Sequence, residues 1–164
     1  MEYYLGLGSN LGQREKNLTQ ALKKLQNQGI YIEKISSVYE TQPFGGAKQP
    51  WYMNIVVKAQ THLSPNRLLK KIKKIEKSMG RTLHGMNNPR PIDIDILMLE
   101  DRVIKNNNLE IPHKELAHRN FVLVPLLEIA STLVHPVFKE KISEIFKHCS
   151  DESIVRKIKG PISL

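Results

Sequence analysis

Apolar and polar positions change period along the chain, and each change marks an element. Residues 2–8 alternate, with Tyr3, Leu5 and Leu7 on one face and Gly6 and Gly8 on the other, which predicts a strand with one face bare of side chains. After Gly8 the period becomes helical, with Leu11, Leu18, Ala21, Leu22 and Leu25 on one stripe. Ser9 or Asn10 is the expected cap and Gly29 the stop. Residues 30–40 are rich in β-branched and aromatic side chains and predict a strand whose alternation slips near Glu33 to Ile35, as a bulge would cause. A strand from Tyr52 to Thr61 follows, with Met53, Ile55, Val57 and Ala59 on one face and Tyr52, Asn54, Val56 and Lys58 on the other. Ser64-Pro65 opens a second helix running to Gly80. At 100° per residue, Leu68, Leu69, Ile72, Ile75 and Met79 fall in one arc, and Arg67 with the lysines lies outside it.

Residues 89–99 form another strand, PRPIDIDILML. Ile92, Ile94, Ile96 and Met98 are expected on one face, and Asp93, Asp95, Leu97 and Leu99 on the other. A turn and short strand between Val103 and Ile111, an apolar helix from Phe121 to Ala130, and an amphipathic helix from Phe138 to His148 with Ile142, Ile145 and Phe146 inward complete the pattern. The order strand, helix, strand, strand, helix, strand matches a ferredoxin-like βαββαβ plan in the α+β class. It predicts an antiparallel sheet with helices on one face and further helices added at the C-terminal end.

Composition narrows the class. The 164 residues suit one domain. A single cysteine, Cys149, excludes an internal disulfide and suits a reducing compartment, and no apolar run approaches a membrane span, so a cytoplasmic protein without membrane attachment is expected. The formal charge of +9 points to an anionic partner, either nucleic acid or phosphorylated small molecules.

The candidate chemistry gathers at the Asp strand. Asp93 and Asp95 share a face roughly 6.6 Å apart, close enough to ligate one divalent ion or a metal pair, although a solvated strand face has the same pattern. The preceding loop carries Arg81, His84 and Arg90, and His113, His118, Arg119 and Phe121 cluster further on. Basic groups beside two acids suit a magnesium nucleotide; surface ion pairs are the plainer alternative. Glu76 falls inside the apolar arc of its helix and is either buried with a partner or turned to a cleft. Tyr52 and Asn54 project together, an aromatic plane beside an amide, which suits a flat heterocycle as well as ordinary core packing. GLGSNLG fits neither common glycine-rich phosphate loop, and tight strand-to-helix packing is expected there.

Five strings in order, GLGSNLG at 6–12, SSVYETQPFG at 36–45, PWYMN at 50–54, PRPIDIDIL at 89–97 and IPHKELAHRNFVLVPLLEIA at 111–130, together resemble the 6-hydroxymethyl-7,8-dihydropterin pyrophosphokinases of folate biosynthesis. The resemblance implies a monomeric, ferredoxin-like enzyme that transfers pyrophosphate from MgATP to the pterin hydroxymethyl group and releases AMP. Asp93 and Asp95 would ligate two Mg²⁺ ions. Arg81, Arg90, His113 and Arg119 match positions that contact ATP, with Glu76 and Ile96 near the nucleotide. Tyr52 and Phe121 would sandwich the pterin, and Asn54 and the segment Thr41, Gln42, Pro43 and Phe44 would read its edge. Loops around 43–50 and 82–89 would close over the substrates. Leu83 and His84 stand where a basic pair is common, Lys114 where an aromatic residue is, Asn108 where an arginine can occur and Lys73 where a glutamine can. These departures imply weaker ATP binding. Two other classes compete: a basic RNA-binding module, which would want more aromatics on its sheet, and a nucleotide-sugar transferase using the DxD pair.

Overall fold

The computed structural model describes residues 1–46, 48–82 and 88–164. Its elements run β1 (Glu2–Ser9), α1 (Arg14–Asn27), β2 (Tyr31–Ile35), β3 (Ser37–Thr41), β4 (Tyr52–Gln60), α2 (Pro65–Ser78), β5 (Asp93–Leu99), β6 (Ile104–Lys105), β7 (Glu110–Ile111), α3 (Asn120–Ala130), α4 (Ile142–His148) and β8 (Val155–Pro161), with short 3₁₀ turns at Phe44–Gly46 and Leu116–His118. The main sheet has the order β5-β1-β4-β3-β8, with β2 also on β4, and its ladders are antiparallel. β6 and β7 form a separate small ladder.

Helices cover both faces of the sheet, not one. Leu18, Leu22 and Leu25 of α1 and Leu68, Ile72 and Ile75 of α2 pack with Tyr3, Leu5, Leu7, Ile55, Val57, Ile94 and Ile96. On the opposite face, Val122, Leu123 and Leu126 of α3 and Ile142 and Ile145 of α4 pack with Tyr4, Val56, Leu97 and Met98. The added C-terminal helices have an apolar stripe of their own to bury, and the second sheet face supplies the surface for it.

A bulge corrects the expected facing of β5. Leu5 pairs Ile96 but Tyr4 pairs Met98, so Leu97 is the extra residue and the alternation reverses after it. Met98 therefore joins Leu97 on the α3 side, and Leu99 joins the α1–α2 side. The slip expected near Glu33 does occur, between Ile32 and Lys34, and the extended stretch divides into β2 and β3.

Three further expectations change. Helix α1 begins at Arg14 with Gln13 at its cap, and Leu11 is exposed, because the Ser9 and Asn10 side chains are engaged elsewhere. The last helix is only Ile142–His148, with Phe146 largely outside and Phe138 stacked on His135. Strand β8, absent from the sequence reading, pairs along β3. No helix among the described residues is long and apolar enough to cross a membrane.

Candidate active site

The centre of the site is the bare face of β1. Gly8 pairs Asn54 of β4 on one side and Asp93 of β5 on the other, and Gly6 likewise pairs Val56 and Asp95. With no side chains on these two residues, the sheet surface between the acids and the amide stays open, and it forms the floor of a cavity of about 440 Å³. A Cβ on Gly8 would lie 2.4 Å from Asn54 Oδ1 and 3.3 Å from Tyr52 Cδ1. The expected close packing at these glycines is thus against side chains of the two neighbouring strands, β4 at Gly8 and β5 at Gly6, not against a helix.

The cavity is walled by the start of α3 and by the loop after β3. Its lining includes Thr41, Gln42, Pro43, Phe44, Tyr52, Asn54, Arg81, Arg90, Asp93, Asp95, His113, Arg119 and Phe121, gathered from positions spread over 80 residues of chain. Of the other residues singled out, Glu76 is buried beneath the site and Ile96 lies in the α1–α2 core, and neither side chain lines the cavity. His118 is exposed and stands apart from His113, Arg119 and Phe121. Leu83 and His84 lie outside the described residues. Gln49, Leu97, Lys114 and Val122 also line the cavity. Leu97 shares the Asp face in the strand pattern, but nothing in the local pattern marks Gln49, because its place depends on how its loop folds back.

Glu76 explains its odd position in the apolar arc. It is 2% exposed, accepts the backbone N–H of Ile94 at 2.8 Å and a hydrogen bond from the Arg81 guanidinium, and receives Lys73 Nζ at 3.1 Å. A buried carboxylate needs such partners, and in taking them it fixes both the start of β5 and Arg81. Arg81 also donates to Asp93 Oδ1 at 2.6 Å, and Arg90 Nη1 approaches Asp93 Oδ2 at 3.6 Å.

Asp95 is different. Its nearest cationic candidate is His113, with Nε2 at 3.9 Å, and burial, then the Arg119 charge, hold the imidazole below its ordinary pKa and neutral at pH 7. Burial, followed by the Asp93 charge, pushes the Asp95 carboxyl up to about 7. Its side chain is about a third exposed, but into the recess, where the walls limit solvation. Such a carboxylate gains more from an added cation than from any group already beside it. Two oxygen-donor carboxylates fit a hard divalent ion such as Mg²⁺. Among the described residues no set of three His, Cys, Asp or Glu side chains gathers to hold a metal, so further ligands would come from substrate and water.

On the other flank, Asn54 Nδ2 donates to Thr41 Oγ1 at 2.6 Å, which sets the orientation of the amide. The Arg119 guanidinium sits over both the Phe44 and Phe121 rings, at 5.4 and 5.6 Å from their centroids, and its buried Nε has no hydrogen-bond partner. That unsatisfied N–H beside aromatic planes marks a place where an acceptor-bearing ligand gains a bond.

Residues 4–131 match the family model described as 7,8-dihydro-6-hydroxymethylpterin-pyrophosphokinase. The chain belongs to this family. It is 45% identical over 141 residues to the 2-amino-4-hydroxy-6-hydroxymethyldihydropteridine pyrophosphokinase of Aquifex aeolicus, covering 86% of this chain and 88% of that one. To the enzyme of the same name from Haemophilus influenzae it is 39% identical over 154 residues, covering 93% and 96%. Other relatives are far longer: the chain spans 20% of the folic acid synthesis protein fol1 of Pneumocystis carinii, at 41% identity. Among solved structures, Plasmodium falciparum HPPK-DHPS with pteroate superposes with a TM-score of 0.74 at 17% identity, over 90% of this chain and 42% of that one, a likeness of fold. As a member of the pyrophosphokinase family the chain is an ATP-dependent diphosphotransferase of folate biosynthesis, whose substrates are ATP and hydroxymethyldihydropterin. The RNA-binding and sugar-transferase readings find no support.

Proposed function

We propose that the cavity is a two-substrate site in which the pterin and the triphosphate meet above Gly8. The observation that carries this is the register: one bare residue has Asn54 as its partner on one side and Asp93 on the other. The pterin ring lies between Tyr52 and Phe121, with Asn54 and Thr41 to Phe44 along its hydrogen-bonding edge. The ATP phosphates lie against Arg81, Arg90, Arg119 and His113, with Glu76 acting through Arg81 and the β5 backbone near Ile96 beside the nucleotide. Asp93 and Asp95 would hold Mg²⁺, two ions with ATP bound, and the ions would supply neutralisation of phosphate charge. The pterin hydroxymethyl oxygen forms a bond to the β-phosphorus as the bond from that phosphorus to the bridging oxygen of AMP breaks, and the hydroxyl proton is released. Positioning and charge neutralisation do most of this work, and the paired arginines and acids supply both. Arg81, tied to buried Glu76, and Arg90, tied to Asp93, are pre-set for charge that develops at the phosphates.

The same reading extends to the whole chain. The order β5-β1-β4 followed by β2 and β3 supports a ferredoxin-like βαββαβ unit with α3, α4 and β8 added. We take the chain as one monomeric, cytoplasmic domain without nucleic-acid or membrane partners.

AMP formation from MgATP and 6-hydroxymethyl-7,8-dihydropterin tests the site. Asp95→Ala should lower turnover by about three orders of magnitude while the protein stays folded, and EDTA should abolish wild-type turnover until magnesium is restored. Unchanged turnover in Asp95→Ala would remove the metal assignment.

A further inference from the structure

Helix α3 opens at the cavity wall without a cap of its own. Arg119 occupies the capping position, and a guanidinium has no acceptor to offer the first free N–H groups of the helix. The acceptor comes from Asp151, 31 residues beyond Asn120, in the coil between α4 and β8. Its Oδ2 receives the Asn120 backbone N–H at 2.8 Å, and its carbonyl oxygen receives the Asn120 side-chain amide. The other carboxylate oxygen, Oδ1, accepts the Ser153 N–H at 2.9 Å and turns the chain toward Ile154. Ile154 donates its N–H to Gln42 Oε1 at 2.9 Å, and its carbonyl accepts the Gln42 N–H at 3.1 Å. Residues 151–154 thus join two walls of the cavity: the start of α3, with Arg119 and Phe121, and the segment after β3, with Gln42 and Phe44. Those four residues line the cavity, and none of residues 151–154 does.

We propose that Asp151 is a positioning residue: it fixes the first residues of α3 from behind, and so sets the distance of the Phe121 ring from Tyr52 and the seat of Arg119 between the Phe44 and Phe121 rings. This rests on the two-substrate reading of the cavity. A side chain whose charged end is kept for substrate cannot anchor itself by that end, and the buried Nε of Arg119 has no hydrogen-bond partner. Its placement therefore depends on its backbone, which Asp151 holds one residue away at Asn120. A stacking slot is sensitive to such placement, because a gap of roughly 0.5–1 Å already forfeits a quarter to a half of the dispersion contact. Burial raises the Asp151 pKa, but the hydrogen bonds from Ser153 and Asn120 and the Arg119 charge outweigh it and hold the carboxyl below the ordinary aspartate value. An ionised carboxylate at this end of the helix also gains from the helix dipole.

The test is a pair of double-mutant cycles on AMP formation by the full chain, with the melting temperature followed for every variant. Asp151→Ala should raise the pterin KM about tenfold and lower kcat about tenfold. In a Phe121→Ala background the same change should leave the pterin KM within about twofold, and in an Arg119→Ala background it should leave kcat within about twofold, because the groups through which Asp151 acts are gone. In an Arg81→Ala background, where the altered cation belongs to another segment, both effects should persist in full. Asp151→Asn, which keeps one acceptor oxygen for the Asn120 N–H, carries the same cycles if the alanine variant does not fold. Effects that simply add in the Phe121→Ala and Arg119→Ala backgrounds would overturn the proposal. So would a lowered melting temperature with pterin KM and kcat unchanged, the mark of a purely structural cap. Phe121→Ala alone separates this from the underlying reading: it should raise the pterin KM, and no rise there counts against the pterin subsite rather than against Asp151.

Discussion

At the scale of single residues, Gly8 is the sharpest constraint on the site. A methyl group there meets the Asn54 amide oxygen and the Tyr52 ring, both side chains of the proposed pterin subsite. Gly8→Ala is therefore expected to raise the pterin KM at least about tenfold and to destabilise the fold by about 1–3 kcal/mol, because Asn54 is bound to Thr41 and has little room to yield. Steady-state kinetics with each substrate varied in turn check this, and an equal rise in both KM values would argue for general damage. Glu128 makes a second, pH-dependent case. It accepts from Ser37 N at 2.9 Å, Ser37 Oγ at 2.8 Å and the Tyr39 hydroxyl, clamping α3 to β3. Burial raises its pKa, but these hydrogen bonds outweigh burial and hold it below the usual glutamate value. A carboxylate depressed on folding contributes stability above its unfolded pKa and loses it as pH falls through the folded one. Glu128→Gln should thus be less stable than wild type by about 1–2 kcal/mol at pH 7, with the gap closing below about pH 4. Urea unfolding at both pH values decides it. Glycine at 6 and 8 and the misplaced acid at 76 were visible in the sequence as anomalies. Which neighbours explained them was not, since Asn54 reaches Gly8 from the adjacent strand and Ile94 reaches Glu76 from β5 across to α2.

At the scale of elements, β8 is the lesson. Its residues are mostly exposed, Ile158 among them and Ile154 just before the strand, so an edge strand held by backbone pairing leaves no alternating apolar face to detect. It still bears on the site. Ile154 O accepts the Gln42 N–H at 3.1 Å, Ile154 N donates to Gln42 Oε1 at 2.9 Å, and Arg156 pairs with Glu40, which Arg14 also holds. Removing residues 154–164 strips Ile162 from the core and these ties from Gln42. The expected loss is about 2–4 kcal/mol of stability together with a raised pterin KM. Thermal melts and kinetics of the shortened chain test both, and unchanged pterin KM would leave β8 a purely structural strand. The late start of α1 has a related cause. Ser9 and Asn10 look like capping residues, but tertiary partners compete for them: Asn17 Nδ2 donates to Ser9 Oγ at 3.2 Å, and Asn10 is engaged by two loops.

At the scale of the whole molecule, the charge of +9 sits on a chain whose cavity carries Arg81, Arg90, Lys114 and Arg119, a field that attracts an anionic nucleotide. Raising ionic strength from about 0.02 to 0.3 M should lower kcat/KM for the nucleotide several-fold and leave that for the uncharged pterin within about twofold. A matching salt effect on both would place the effect on the protein rather than on encounter. The two helical layers divide the molecule by task. The α1–α2 face holds the main core, and the α3–α4 face frames the cavity above Gly6 and Gly8. Periodicity was enough to locate most strands and helices, because a period of two or 3.6 is written in consecutive residues. The motifs were enough to single out the acids, the cations and the aromatic pair of the proposed site, and Asp93, Asp95, Arg81, Arg90, His113, Arg119, Tyr52 and Phe121 do line one cavity. The side of the sheet that α3 and α4 cover, the reversal of facing after Leu97, the β8 edge and the joining of two loops on Asn10 were settled by folding. Each is a contact between segments far apart in sequence, and it exists only when burial and hydrogen-bond satisfaction are resolved together across the whole sheet.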